Sequence, residues 1–435
     1  MPGGGGGGPR TQARGRRRRQ ATSLPLDLIA EIAARSDAAT LVRCAATCRD
    51  VRGRAAEDPA SGGRLRLRRT DRFVLPLLRG HLIAKYNHTG GAREKELYLV
   101  DTTAPDATRL RRAAGAVPPG PDGKPLSVKA VASRDGLLLH LREATTYRRV
   151  LRVRDAATGR SHTLPPDPAF PERHYYGSHE RYVLLVGDGK DDGGAGGAGR
   201  PFQVVKARLV PSHHRHGRYM ELQTFSSEHG EWGPYTKIPT PQLEPSCGSL
   251  SDAGRPLVAG GAVHWLCGDC LVKLNVRAAR VTATTLPAGF PVATARWRQR
   301  QSQLLAVAPD GSPMVLVADG ERITAWEQSK HTAIWKQRPR VVIENAAILQ
   351  FNGVAGLIGR APNWTYDSPQ LVWFAERSGA VLIQMGQYYG NFWLDLQSMK
   401  IVRWFLDPSI SYATVHCPLE MELSSWVPTF SRTLL

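Results

Sequence analysis

The residues best able to do chemistry fall in three short clusters. Cys267-Gly268-Asp269-Cys270 has zinc-knuckle spacing, and His264 lies three residues earlier. A structural zinc takes four ligands, usually supplied as two pairs. The other cysteines in this part of the chain, Cys247 and Cys417, stand alone. The four residues equally suit a tight hairpin turn with a thiol on each side of Gly-Asp, and that reading is preferred. His213-His214-x-His216 sits in a polar stretch and could hold a metal only adventitiously. Gly194-x-Gly196-x-x-Gly199 has the letters of a dinucleotide fingerprint. The residues after it, Pro201-Phe202-Gln203-Val204-Val205, read as a strand, so the helix N-terminus that would receive a pyrophosphate is missing. The chain has no Gly-x-Ser-x-Gly elbow, phosphate loop or His-Glu-x-x-His pair. The expectation is a chain with no catalytic residues, no metal and no cofactor.

All three clusters lie in a long region, 61–435, built of short apolar runs separated by Gly, Pro, Asp and Ser. Four runs look alike: Leu97-Tyr98-Leu99-Val100-Asp101, Val150-Leu151-Arg152-Val153-Arg154-Asp155, Leu271-Val272-Lys273-Leu274-Asn275-Val276 and Phe392-Trp393-Leu394-Asp395-Leu396. The last three run into a turn and a second apolar run, closing near Leu164-Pro165, Leu286-Pro287 and Ile401–Phe405. Aligning Leu99, Val153, Leu274 and Leu394 gives spacings of 54, 121 and 120. The two long gaps each leave room for one irregular unit, assigned to Tyr182–Pro239 and Leu304–Ile343. A strand–turn–strand module recurring every 40–60 residues predicts a β-propeller. Six blades fit best, or seven if 406–435 help close the ring; a pair of irregular β-sandwiches is the alternative. Gly187–Arg200 and Pro211–Arg218 read as surface loops. All ten tryptophans lie between Trp232 and Trp426 and are assigned chiefly to packing between blades, a minority to anchoring a partner.

The N-terminal end is of another kind. Residues 1–21 form a Gly/Arg-rich tail with the basic run Arg14, Arg16, Arg17, Arg18 and Arg19. Residues 22–60 predict a pair of short amphipathic helices. Pro25 suits a first helical turn, and Asp27 there opposes the positive end of the helix dipole. Leu28, Ile29, Ile32 and Ala33 share one face. Asp37 is a natural N-cap for a second helix, on which Leu41, Cys44, Cys48 and Val51 recur as a stripe. Two apolar stripes in so small a unit exceed what it can bury by itself. Either the pair packs on the following domain or it docks on another protein.

Leu24-Pro25-x-Asp27-Leu28-x-x-Glu31-Ile32, with Leu41-x-Arg43-Cys44 and Thr47-Cys48-Arg49 behind it, resembles the plant F-box in order and spacing. The resemblance covers about 35 residues and implies docking on a Skp-type adaptor, and through it on a cullin. Leu24, Pro25, Leu28, Ile29, Ile32, Leu41, Val42 and Cys48 would form the adaptor-binding surface. The Ser36–Thr40 connector is shorter and richer in Ala than that family's. The following region is similar to the associated domain behind F-boxes of grass proteins. The likeness runs through Gly260-Gly261-Ala262-Val263-His264-Trp265-Leu266 and Trp373-Phe374-Ala375-Glu376-Arg377-Ser378-Gly379. This implies a kelch-like recognition domain for a protein substrate. The expected fold is thus mainly β with a small N-terminal α unit, an F-box helical motif ahead of a β-propeller-like domain.

Composition is globular at 42% hydrophobic and 22% charged, with formal net charge +20. Residues 1–80 hold 17 Lys/Arg against 7 Asp/Glu, half of that excess. The Arg run suits a nuclear-localisation signal, a nucleic-acid tether or a solubilising tail. It lacks the aromatics of a single-strand binder, so nucleic acid is not the expected partner. A basic nuclear scaffold whose tail binds nucleic acid is the alternative to substrate recruitment. No apolar h-region or run of 18 apolar residues is present, so neither a secretory signal nor a membrane span is expected. Six scattered cysteines suit a reducing compartment, and the expected location is the nucleus, the cytoplasm or both.

Overall fold

The computed structural model describes Gly3, Pro25, Leu28 and Ile32, then residues 73, 75–87, 94–101, 109–112, 127–145, 148–156, 159–171, 180–186, 201–210, 218–240, 254–291, 303–329, 332, 334–351, 369–385, 390–405 and 416–420. The chain divides into two compact units, Met1–Arg66 and Leu67–Leu435. In the first, Leu28 and Ile32 are helical, and the Leu28 N–H donates to the Pro25 carbonyl at 3.0 Å.

The described residues of the second unit form six antiparallel sheets, the blades of a propeller. Blade 1 contains β1 (Leu78–Asn87), β2 (Glu94–Asp101) and β3 (Arg109–Arg112). Blade 2 is β4 (Ser127–Arg134), β5 (Leu137–Thr145), β6 (Arg148–Asp155) and β7 (Ser161–Thr163). Blade 3 is β8 (Arg181–Val186), β9 (Phe202–Val210) and β10 (Tyr219–Ser226), with two short pieces, β11 (Glu231–Trp232) and β12 (Thr236–Pro239), both paired to β10. Blade 4 is β13 (Leu257–Ala259), β14 (Ala262–Cys267), β15 (Cys270–Asn275) and β16 (Arg280–Thr285). Blade 5 is β17 (Gln303–Val307), β18 (Pro313–Ala318), β19 (Arg322–Glu327) and β20 (Arg340–Glu344), and a short helix, Asn345–Gln350, comes after it. Blade 6 is β21 (Pro369–Ala375), β22 (Ala380–Met385), β23 (Gly390–Asp395) and β24 (Lys400–Phe405). The last strand, β25 (His416–Glu420), pairs with β1 and supplies blade 1 with its first strand, Leu82 opposite Cys417.

Six blades close the ring. The expected repeat is present, and the four look-alike runs are the third strands of blades 1, 2, 4 and 6. The two irregular units are blades 3 and 5. Residues 416–420 complete blade 1, and the described residues form no seventh blade.

The repeat is written in the turn after the third strand. Asp155, Asn275 and Asp395 end three of these strands, and Gly159, Ala279 and Met399 take φ values of 72°, 45° and 57°. In two of these turns the side chain holds the loop. Asn275 Oδ1 accepts the Ala278 N–H at 3.0 Å, and Asp395 accepts the N–H groups of Gln397 and Ser398. A short polar side chain bonding its own backbone two or three residues on is the chemistry of such turns.

Alternation along each strand sends successive side chains to opposite neighbours, so each blade buries both faces and reads as a nearly unbroken apolar run. Leu82 packs with Val128, Leu138 and Cys417 between blades 1 and 2, while the next residue, Ile83, packs with Leu382 and Trp393 between blades 1 and 6. Similar clusters join blades 2 and 3, blades 3 and 4, and blades 4, 5 and 6, so apolar packing runs round the whole ring. Trp265 and Trp393 are fully buried in such clusters, as the packing assignment expected.

Candidate functional site in the axial channel

The first strands touch one another around the ring: β25 with β4, β4 with β8, β13 with β17, β17 with β21 and β21 with β25. They therefore line the axis, and polar side chains on them meet from blades that are not neighbours. Where these strands end, Arg134 of blade 2 forms an ion pair with Glu376 of blade 6 and donates to the Val258 carbonyl of blade 4 at 3.1 Å. Glu376 also accepts the Val258 N–H at 3.1 Å. Arg377 makes a two-pronged bond to Asp135 at 2.8 and 3.0 Å. Glu420, at the end of β25, accepts the N–H groups of Arg377 and Ser378 at 3.0 and 2.6 Å, and the Ser378 hydroxyl at 2.5 Å. The Glu420 carbonyl accepts the Gly136 N–H at 3.1 Å. Blades 1, 2, 4 and 6 are thus tied across the axis.

The local sequence prepares this tier. Asp135-Gly136 turns β4 into β5 with φ of 49° and 80°, the signature of a two-residue type I′ hairpin. Gly379, at φ 67°, lets β21 reverse into β22 beside Phe73. Burial pushes the Glu376 and Glu420 carboxyls above the usual carboxylate range, although Arg134 and Ser378 respectively pull them back. Burial acts against the Arg377 charge, yet Asp135, Glu420 and Glu376 outweigh it and hold its proton more tightly.

Three residues upstream on the same strands lies a second tier: Cys417 on β25, Arg255 ahead of Val258, and Trp373 on β21. The Arg255 guanidinium carbon stands 3.6 Å from the Trp373 ring centre. Blades 4 and 6 flank blade 5, so this contact crosses the axis. Burial lowers Arg255 to about 10; Cys417 pulls it partly back, and the charge of Arg181, first residue of β8, adds a smaller lowering. Burial drives the Cys417 thiol up to about 12, so it is neutral at pH 7.

A separate polar cluster lies on the face of blade 3 that looks toward blade 2. Lys206, only 1% exposed, contacts Asp167 at 2.9 Å, Glu180 at 3.3 Å and the Pro168 carbonyl at 2.6 Å. Arg208 pairs with Glu221, which also accepts from the Tyr235 hydroxyl at 2.8 Å. The Tyr182 hydroxyl donates to Asp167, and burial followed by the Asp167 charge raises its proton affinity far above that of a free phenol. Lys206 thus has one hydrogen bond, to the Pro168 carbonyl, and two carboxylates within ion-pair distance. The cluster clamps the 164–171 connector onto the blade.

Cys267 and Cys270 face each other across the β14–β15 hairpin, both buried, with Gly268 at φ 65°. This is the hairpin turn preferred from sequence. His264 is buried within hydrogen-bond reach of the Ala259 carbonyl at 3.4 Å, and burial lowers it to about 4. Among the described residues no three His, Cys, Asp or Glu side chains are arranged to hold a metal. The His213–His216 and Gly194–Gly199 clusters lie outside the described residues.

Of the expected adaptor-binding residues, Pro25, Leu28 and Ile32 are described. Leu28 and Ile32 are 46% and 55% exposed, one helical turn apart. Leu24, Ile29, Leu41, Val42 and Cys48, and the localisation candidates Arg14 and Arg16 to Arg19, lie outside the described residues. The channel residues were missed by sequence reasoning. The Asp-Gly hairpin and the Glu376–Gly379 turn were their available signals, since charged residues in tight turns beside apolar strands need partners.

Residues 122–431 match the family described as a domain of unknown function, DUF7595, a span that takes in blades 2 to 6 and β25. The chain belongs to this family. No curated protein matches it. Among solved structures, TolB from Acinetobacter baumannii is similar at 9% identity and TM-score 0.37, over 78% of this chain and 66% of TolB. Kuenenia stuttgartiensis hydrazine synthase is similar at 8% identity and TM-score 0.41, over 82% of this chain and 49% of that one. In this DUF7595 member, both channel tiers fall within the matched residues.

Proposed function

We propose that this protein is the substrate-recognition subunit of a Skp–cullin–F-box type ubiquitin ligase, its propeller holding a protein target while its N-terminal helices dock on the adaptor. It is no enzyme in this reading. The adaptor and cullin bring the held target to a charged conjugating enzyme, and the gain is effective concentration of target lysines near the reactive thioester. The reading places the protein in the nucleus, the cytoplasm or both.

The observation that carries the proposal is the pair Leu28 and Ile32. Both are helical, one turn apart, large, apolar and exposed, within a Leu-Pro-x-Asp-Leu-x-x-Glu-Ile pattern that resembles the F-box. With 46% and 55% of their surfaces exposed, these side chains forgo about 1 kcal/mol each relative to full burial, which a docked adaptor would recover. The propeller supports the second half, because a ring of blades with polar groups at its axis suits recognition.

The test is co-expression with a Skp-type adaptor and capture of the full chain. Wild type is expected to be retained, and a Leu28→Asp/Ile32→Asp variant to be lost with its propeller still folded by circular dichroism. Failure of the wild type to be captured would overturn the reading.

A further inference from the structure

Alternation sorts the side chains of blade 2 by charge. Leu139, Leu141 and Leu151 face blade 3, whereas Leu138 faces blade 1 among Leu82, Leu97 and Leu99. His140 and Arg142 follow Leu138 on the blade 1 face of β5. The register sets Arg154 opposite Leu138, Arg152 opposite His140 and Val150 opposite Arg142, with Thr163 of β7 opposite Arg152. Asp155 takes a register position on the other face, opposite Leu137. The basic face runs from an open rim to a buried base. Thr163 is exposed, Val150 is 39% exposed, and Arg142, Arg152 and Arg154 are half-buried. His140 is only 6% exposed, and among the described residues its Nδ1 has no hydrogen-bond partner. The Arg142 Nε is likewise buried without one. Arg152 Nε donates to the Thr163 hydroxyl at 3.0 Å, and neither Arg142 nor Arg152 meets a carboxylate among the described residues. Burial, then the charges of Arg142, Arg152 and Arg154, lower His140 to about 4.

We propose that this face of blade 2 is a phosphate-binding site, in which Arg142 and Arg152 clamp a phosphoryl group over the His140 ring and Arg154 adds charge beside them. Opposite residues of an antiparallel pair stand about 4.5–5.5 Å apart and diagonal ones about 7–8 Å. Arg142 and Arg152 are such a diagonal, so two long side chains can close on one group above His140. Like charges placed this near destabilise a sheet, and buried donors left unmatched call for a water or an ion. Only an anion answers both. A carboxylate brings one charge and two oxygens, whereas a phosphoryl group brings nearly two charges and three acceptor oxygens. Planar guanidinium forks match that geometry. As a deepening of the recruiting role, and resting on it for this point alone, the bearer of the phosphate is a phosphorylated segment of the target protein. Binding of phosphate itself needs no adaptor.

The test is calorimetric titration of the full chain with inorganic phosphate, then with a short phosphoserine peptide and its unphosphorylated twin, at ionic strength held constant with chloride. Saturable binding of phosphate and of the phosphopeptide is expected, and none of the twin. Arg142→Gln and Arg152→Gln are expected to weaken it by about tenfold to a hundredfold, the loss of one charge-assisted contact. Arg142→Lys, which keeps the charge but not the planar fork, is expected to fall between. Arg340→Gln, which removes an exposed partner of Glu327, should bind as wild type. The His140 ring resonances of the wild type should shift on adding phosphate, a readout that needs no variant to fold. No saturable phosphate binding by the wild type, or equal binding by wild type and the Arg142 and Arg152 variants, would overturn the site. Phosphate binding without phosphopeptide binding would support the site and overturn the target segment as its bearer. Phosphate binding without adaptor capture would sink the recruiting reading and leave the site standing; the reverse would sink the site alone.

Discussion

The two tiers of the channel sit three residues apart on the same strands and treat charge in opposite ways. In the lower tier Arg134 meets Glu376, Arg377 meets Asp135, and Glu420 gathers three donors from the Arg377–Ser378 turn. In the upper tier Arg255 lies on Trp373 with Arg181 for a charged neighbour. Desolvation disfavours charge in both; the lower tier offsets it with carboxylates for Arg134 and Arg377, whereas Arg255 rests on an aromatic face. A matched polar network ties blades together, whereas a half-buried cation held by an aromatic face adds little to the tie. The lower tier reads as the clasp of the ring, and the upper tier does not share in it.

The largest effect should come from breaking the clasp. Glu420→Ala leaves two buried N–H groups and a hydroxyl without their acceptor, and each orphaned group costs about 1–3 kcal/mol. A loss of about 3–5 kcal/mol in urea denaturation is expected, with Glu420→Gln recovering part of it.

Acid should separate the tiers from the rest of the fold. His140 and His264 are both lowered from 6.5 to about 4 by burial, helped by Arg142 and Lys273 respectively. The unfolded chain therefore binds protons that the native state refuses. Their contribution to stability is fully present above pH 6.5 and is lost as pH falls from 6.5 to 4, at up to about 3 kcal/mol each. Glu376 and Glu420 have the opposite sign: their raised affinity makes the native state hold protons that the unfolded chain releases above pH 4.5, so acidification does not open the clasp. Urea midpoints at pH 7.5, 6 and 5 should fall for wild type and fall less for His264→Gln. An unchanged slope in that variant would assign the acid loss elsewhere.

Smaller in effect is Gly379→Ala. A Cβ at φ 67° is strained, and it would stand 2.2 Å from Cγ of Phe73. About 1–3 kcal/mol should be lost, with the Glu420 contacts loosened because they bind the same turn.

These contrasts also show what could be read from the chain before folding. The propeller was legible because third strands end in Asp155, Asn275 and Asp395 at a spacing of 120, each with a left-handed residue four positions later. Such turns are local chemistry and leave a local trace. Blades 3 and 5 were visible only as gaps. Blade 3 splits its outer strand into β11 and β12, and blade 5 places twelve residues, 328–339, between β19 and β20. Closure by β25 was not legible as a pairing, since Leu82 and Cys417 are joined only in space. The clasp is of the same kind: Arg134 and Glu376 lie 242 residues apart, and no periodicity links them. Arg255 gave no signal at all, for its meaning depends on a tryptophan two blades away.

The most direct test is to denature Arg134→Gln and Arg255→Gln side by side with urea at pH 7.5. Arg134→Gln strands the buried Glu376 carboxylate, and a loss of about 2–4 kcal/mol is expected. Arg255→Gln gives up a cation–π contact of about 0.5–1 kcal/mol but relieves a desolvated cation beside Arg181, so its midpoint should match or slightly exceed wild type. Equal losses in the two variants, or a larger one for Arg255→Gln, would contradict the division of the channel into a structural clasp and a tier outside it.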